Sequence, residues 1–167
     1  MQLWGGTEAY LLAHLQVLQN KAARAVTGKS WYTPTRQLLK ECNWLNVKQL
    51  IFYQSVLQVH KVLLSGKPDS IRRKFITDHP FSTRQATSGG LRFGQGYGAS
   101  SELRHKSFLY RGTQGYNRIP GHIRKMKNMN AFKNKLKQWV KTNIPWDQFL
   151  LDDNYLFILS SPTLLLT

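Results

Sequence analysis

The sequence predicts a mainly α protein: a small helical bundle with a long Gly-rich loop and a divergent C-terminal tail. Three observations carry this. Apolar residues recur at i, i+4 and i+7 in several windows, the spacing of one helical face. Gly28, Pro34, Gly66, Pro68, Pro120 and Pro145 fall between those windows, where helices stop and restart. Five glycines, Gly89, Gly90, Gly94, Gly96 and Gly98, crowd one span that shows no such period. The expected organisation is a single helical domain over residues 7–144, an internal flexible loop over 77–101, and a tail over 145–167. At 167 residues the chain is long enough to bury a core.

The elements follow in order. Residues 1–6 read as the end of something longer, an expectation about where a larger chain was cut. Thr7 to Gly28 reads as the first helix, with Thr7 as cap, Glu8 at its positive end and Gly28 beyond its last turn. Its apolar stripe is Leu11, Leu15, Leu18, Ala22 and Ala25. Thr33-Pro34 opens a short second helix reaching about Glu41. Trp44 and Leu45 form an apolar connector, and Asn46 caps a third helix from Val47 to about Ser65, ended by Gly66 and Pro68. That helix carries two apolar faces, Phe52, Val56, Val59, Leu63 and Tyr53, Leu57, Leu64. The polar strip between them (Gln54, Gln58, Lys61, Ser65) is narrow, so the helix should sit centrally.

Pro68 to Phe75 reads as a short helix. Thr77 to Ser101 reads as a long loop, with room for short strands. Leu103 to Asn117 is ambiguous and leans helical, and Ile119 to Met126 suggests one turn after Pro120. The last helix is the clearest. Phe132, Leu136, Trp139 and Val140 form one face, Lys133, Lys137 and Lys141 another, Asn130 is the expected cap, and Pro145 follows the end. The tail holds two apolar runs, Tyr155–Leu159 and Leu164–Leu166, which fit a strand, a packed tail or a poorly ordered end.

Charge narrows the function. Lys and Arg number 24 against 8 Asp and Glu, a formal charge of +16 and a pI near 10.3. Such an imbalance costs stability through self-repulsion and points to an anionic partner, nucleic acid first and acidic membrane next. The excess is concentrated: +5 over residues 1–70, +14 over 71–141, and −3 over 142–167, which has no Lys or Arg. One cysteine, Cys42, excludes an intrachain disulfide framework or a cysteine zinc site, and suits a reducing compartment. No secretory signal and no apolar run of about 18 residues is visible. The expected location is intracellular, nuclear or cytoplasmic, with no membrane partner.

Several stretches, in this order, resemble the C-terminal part of LINE-type (non-LTR) retrotransposon reverse transcriptases. They are LQVLQNKAAR at residues 15–24 with Thr27-Gly28, TPTRQLLKECNWL at 33–45, and the helix ending HKVLLSG at 60–66. Tyr116-Asn117-Arg118-Ile119-Pro120 with Ile123, and Phe132-Lys133-Asn134-Lys135-Leu136-Lys137, complete the set. The resemblance spans roughly residues 3–141; Tyr116 stands where the family usually has Trp. It implies a helical segment at and beyond the polymerase thumb, in a protein that binds template RNA and target DNA.

The family's catalytic centre uses a Tyr/Phe-x-Asp-Asp turn whose carboxylates hold two metal ions. Leu150-Leu151-Asp152-Asp153 lacks the aromatic two positions before the pair. It also follows the thumb-like region instead of preceding it, so these read as surface or tail acids. His14, His60, His79, His105 and His122 show no metal-ligand spacing. Cys42 reads as a small buried residue. Arg92-Phe93-Gly94-Gln95-Gly96-Tyr97-Gly98 offers rings for base stacking beside an arginine, against the plainer reading of a flexible loop. It is no dinucleotide fingerprint, because no strand is expected to lead into it and no helix follows with Asp or Glu at the right spacing.

The reading that follows is a non-catalytic, basic nucleic-acid-binding fragment of the reverse transcriptase kind. It would contact phosphates of RNA, DNA or an RNA–DNA hybrid through Arg72, Arg73, Lys74, Arg84, Arg92, Arg104, Lys106, Arg111, Arg118, Arg124, Lys125, Lys127, Lys133, Lys137 and Lys141. No cofactor, metal or small-molecule substrate is expected. The alternative is a structural helical module that packs on the rest of a reverse transcriptase and has no binding activity of its own.

Overall fold

The computed structural model describes residues 9–76, 90–93 and 107–144. These hold seven helices and one short strand pair. They are α1 (Ala9–Thr27), α2 (Thr35–Glu41), α3 (Val47–Ser65), α4 (Asp69–Arg72), β1 (Phe75–Ile76), β2 (Arg92–Phe93), α5 (Phe108–Arg118), α6 (Gly121–Arg124) and α7 (Met129–Asn143). The protein is mainly helical, as the periodicity predicts. The expected cap Thr7 and the acid Glu8 at the positive end, most of the 77–101 loop, and the 145–167 tail lie outside the described residues.

α3 is the central helix, in contact with α1, α4, α5 and α7. Both its ends are fixed by local chemistry. The Asn46 side chain accepts from the Gln49 backbone N–H at 2.8 Å, and the Gln49 side chain accepts from the Asn46 N–H at 3.2 Å. This reciprocal box satisfies two amides that the helix itself leaves unpaired. Gly66 closes the other end at φ 70°, a conformation that costs an L side chain energy. Gln49 does a second job: its Nε2 donates to the Ile144 carbonyl at 2.9 Å, tying the end of α7 to the start of α3. Of the expected apolar positions on α3, Val56 and Val59 are fully buried, while Leu64 is left exposed.

The main core joins Leu45, Val56, Val59 and Val62 to Phe75, Leu91, Tyr116, Ile119 and Ile123, and to Phe132, Leu136 and Val140 of α7. The α7 stripe is therefore where the sequence put it. Its cap is not. Asn128, two residues earlier than expected, accepts from the Asn130 and Ala131 amides at 2.9 and 3.2 Å. Two asparagines spaced two apart satisfy the same local rule, which does not choose between them.

α5 resolves the ambiguous stretch as a helix, capped by Ser107, whose Oγ accepts from Tyr110 N–H at 3.2 Å. Its glycines are contact points. A Cβ on Gly112 would lie 2.8 Å from Val59 Cγ2, and one on Gly115 would lie 3.1 Å from Phe52 and 3.2 Å from Val56. The two helices approach so closely because these positions carry no side chain. Asn117, in the last turn of α5, clamps Leu91 from both sides: its Oδ1 accepts from the Leu91 N–H at 2.7 Å and its Nδ2 donates to the Leu91 carbonyl at 2.8 Å. This positions the antiparallel pair Phe75–Phe93 and Ile76–Arg92 beside α5.

The first helix departs from expectation. α1 ends at Gly28, φ 64°, as read. Yet its predicted stripe mostly faces solvent: Leu11 is 40% exposed and Leu18 59%, with Ala22 and Ala25 also exposed. The half-buried or buried positions of α1 include Leu12 and Leu15 but also Gln16, Gln19, Asn20 and Ala23. Gln16 Oε1 accepts from the Val47 N–H at 2.9 Å, and Gln19 Nε2 donates to the Leu45 carbonyl at 2.8 Å. The α2–α3 linker offers unpaired backbone groups at that point, and a buried amide or carbonyl without a partner is costly. Glutamines meet the need where leucines would not. Apolar packing of α1 is limited to a small second cluster, Ala23 with Leu38, Leu39 and Cys42.

Gly112→Ala tests the close approach. Alanine gains up to about 1 kcal/mol in helix propensity. The methyl would be forced against Val59, a fully buried β-branched side chain that cannot swing aside. Overpacking of this kind costs about 1–3 kcal/mol, so a net loss of roughly 1–2 kcal/mol is expected in denaturant melts. Unchanged or higher stability would refute the contact.

Candidate nucleic-acid interface

α7 is the element that presents the basic row, and its orientation is fixed from underneath. The His60 ring of α3 lies flat on Phe132 of α7, with centroids 3.6 Å apart and planes 9° from parallel. His60 Nε2 meets the Met126 carbonyl at 2.9 Å, and that carbonyl can only accept, so Nε2 carries the proton. Nδ1 is then the acceptor facing the Tyr116 hydroxyl at 3.2 Å. The same hydroxyl lies 3.3 Å from the Arg124 carbonyl. A single phenolic proton is shared between two acceptors. Burial pushes the Tyr116 hydroxyl up to about 12, partly offset by the charge of Arg124, so it stays protonated at neutral pH. On the next turns Leu136 and Val140 are fully buried and Trp139 stacks on Phe52 at 6.1 Å.

With that face committed, the lysine row, one residue on and so about 100° round the helix from the stripe, lies along its flank. Lys133 and Lys141 are exposed and Lys137 is half-buried. Partial desolvation and then the neighbouring charge of Lys137 hold the Lys141 ammonium below its usual value, as expected of like charges one turn apart. Lys141 Nζ also contacts Asn43 Oδ1, at the end of α2. Lys125 and Lys127, in the α6–α7 connection, are exposed too. So is Lys135, which the sequence reading passed over because it falls outside the four-residue repeat.

The other predicted contacts divide. Arg73 and Lys74 are exposed at the end of α4, Arg73 paired with Asp69 at 2.8 Å. Arg72 is half-buried and donates to the Phe75 carbonyl at 3.1 Å, closing α4 onto β1. Arg111 and Arg118 are half-buried, and burial lowers Arg118 from its ordinary value. Arg124 departs most from an outward-facing set. It is only 7% exposed, its Nε and Nη1 lack hydrogen-bond partners, and its guanidinium lies 6.0 Å from the Tyr116 ring centre. Burial lowers its pKa, with Tyr116 acting in the opposite direction. The α6 turn that follows Pro120 swings this position inward beside Ile123, which no count of charges reveals. Arg92 lies in β2. Arg84, Arg104 and Lys106 lie outside the described residues, as do His79, His105, Asp152 and Asp153.

Acids are scarce near this surface. Among the described residues the acidic side chains are Glu41 and Asp69, and each already faces a cation, Lys29 at 3.5 Å and Arg73 at 2.8 Å. The α7 lysines have no carboxylate of their own among those residues. No described helix is long and apolar enough to cross a membrane. Trp31 and Tyr32, in the α1–α2 connection, are 66% and 93% exposed. The sequence reading did not single them out, although aromatics set between Lys29 and Arg36 are a recognisable signal.

His60 gives the seat of α7 a pH signature. Burial holds its folded pKa below 6.5, against a weaker opposing effect of the Met126 hydrogen bond. Between that lowered value and 6.5 the unfolded chain binds the extra proton. Stability is therefore full above about pH 6.5 and falls as pH drops through the folded value. His60→Gln, which keeps a donor for Met126, should lower stability at neutral pH but flatten the acid-side slope in urea melts. An unchanged slope would show that His60 does not carry it.

The chain matches no protein-family model, no curated protein and no solved structure.

Proposed function

We propose that this chain is a non-catalytic nucleic-acid-binding segment, related to the post-thumb region of LINE-type reverse transcriptases, that holds RNA or an RNA–DNA hybrid by its phosphates. The observation that carries the reading is the α7 lysine row: Lys133, Lys137 and Lys141 run along the flank of a fully buried stripe, Lys133 and Lys141 exposed and Lys137 half-buried, without a carboxylate among the described residues. Like charges at this spacing cost a helix a few tenths of a kcal/mol per pair. A phosphate backbone removes that cost and releases its condensed counterions. Lysines act as point charges and position a backbone without reading bases, so binding should be strong at low salt and indifferent to sequence.

The triple substitution Lys133→Ala, Lys137→Ala and Lys141→Ala tests this. Each phosphate contact on a single strand contributes about −0.7 to the slope of log affinity against log salt. The triple variant should bind more weakly at low salt and lose about 2 units of slope. An unchanged slope, or parent binding that does not depend on salt, sinks the reading.

A second reading has its own support, the uncovered apolar side of α1. Leu18 at 59%, Val17 at 50% and Leu11 at 40% exposure would suit a module that packs on a polymerase core. Leu18→Gln distinguishes the two. If this side is a vacant docking face, the substitution should leave the melting temperature within a few degrees and reduce concentration-dependent light scattering. A large loss of stability would mean that Leu18 is core in this chain.

A further inference from the structure

We infer that the α1–α2 turn is a base-stacking site for single-stranded nucleic acid, with Trp31 and Tyr32 as the platform. The inference rests on the nucleic-acid reading above and extends it to a surface outside the 71–141 charge cluster. The turn is held rigidly. Gly28 ends α1 in the left-handed conformation, and the Thr33 N–H donates to the Ser30 carbonyl at 3.0 Å, folding the chain back. Arg24 then fastens it to α1: its Nη2 donates to the Trp31 carbonyl at 3.2 Å and to the Thr33 carbonyl at 3.4 Å. The same guanidinium lies over the indole of Trp31, 4.6 Å from the ring centroid.

One face of the indole is therefore occupied by a cation, and the ring is held in place by it. Trp31 is nonetheless 66% exposed and Tyr32 93%. A ring fixed in advance loses little side-chain freedom when a flat partner stacks on its open face. Single exposed aromatic residues are common and imply nothing. Two in succession, one of them braced by an arginine, among basic residues, fit the stacking platforms of single-strand binders. Arg36 is exposed at the start of α2, and Glu41, the acid that reaches this turn, is paired with Lys29 at 3.5 Å. With Glu41 matched by Lys29, the turn keeps a net positive balance from Arg24 and Arg36, which favours a polyanion.

The turn is also continuous with the lysine row. Lys141 contacts Asn43 at the C-terminal end of α2, and the aromatic pair lies just before its N-terminal end. A seven-residue helix is about 10 Å long. A strand held by its phosphates along α7 arrives within one short helix of a place for its bases.

The experiment is fluorescence-anisotropy titration of the full chain with a labelled oligo(dT) and with a duplex of the same length, across a salt series. Base stacking on an aromatic ring is worth roughly five- to a hundredfold per base. The double variant Trp31→Ala with Tyr32→Ala should weaken oligo(dT) binding about tenfold or more, leave the salt slope unchanged, and spare the duplex, whose bases are already stacked. The Trp31→Phe, Tyr32→Phe variant keeps the rings and should retain most of the affinity. Parent-like oligo(dT) binding by the alanine variant overturns the proposal and leaves the pair to a protein partner. Equal loss on both ligands, with no rescue by phenylalanine, overturns it in favour of a structural role. No parental binding to oligo(dT), to the duplex or to an RNA–DNA hybrid of the same length overturns the nucleic-acid reading itself.

Discussion

The packing of His60 against Phe132 is the constraint on which most of this structure depends. It is where α3, α5, the α6–α7 connection and α7 meet. The flat stack brings the backbones of α3 and α7 to a fixed separation. The two ring nitrogens then reach outward to Met126 and Tyr116, so each of the surrounding segments is joined to the same imidazole. A leucine at position 60 would fill the volume but leave the Met126 carbonyl without this donor and the Tyr116 hydroxyl with only the Arg124 carbonyl, and a buried polar group without a partner costs about 1–3 kcal/mol. The site is apolar in its packing and polar in its specification. It fixes which side of α7 faces out, and with it the direction in which the lysines point.

The other end of the bundle is built on a different principle. α1 is not joined to α3 by apolar interdigitation but by Gln16 and Gln19, which supply hydrogen bonds to the backbone of the α2–α3 linker. Further links, Gln16 Nε2 to Gln19 at 2.9 Å and to Asn20 at 2.8 Å, set the side chains in place. Hydrogen bonds of this kind contribute about 1 kcal/mol each net of the water they replace. They give direction more than strength. α1 and α2 thus form a hairpin with its own small cluster, attached to the main core through polar contacts, and Leu11 and Leu18 of α1 remain on the outside.

How much of this could be read from the sequence depended on whether the deciding interaction was local. The ends of α3 were legible because Asn46 and Gly66 act within a turn of their own positions. The register of α7 was legible because Phe132, Leu136 and Val140 are buried by the same period that makes them visible. α5 was obscured by Gly112 and Gly115, which look like breakers and serve as contact points on α3. The face of α1 was misread because hydropathy registers apolar burial only, and the surface opposite required donors and acceptors. The inward turn of Arg124 depends on the α6 geometry and on the Tyr116 ring, neither of which leaves a mark on the charge pattern.

Arginine and lysine have been put to different uses. Arg24 and Arg72 each close a turn by donating to backbone carbonyls, and Arg24 and Arg124 each lie by an aromatic ring. Arg111 and Arg118 are at least half-buried as well. By contrast Lys74, Lys125, Lys127, Lys133, Lys135 and Lys141 are exposed. The division follows from the side chains. A guanidinium is weakly hydrated, forked and planar, so it can be desolvated against carbonyls and rings at modest cost, whereas an ammonium is strongly hydrated and stays in water. Counting Lys and Arg together therefore overstates the charge offered to a partner. Within the described part of the basic region the outward field is carried mainly by lysines, while several arginines shape the scaffold. Outward charge on lysine and ring bracing by arginine are then complementary uses of one excess of positive charge, and Arg24 shows the second by lying over the exposed indole of Trp31.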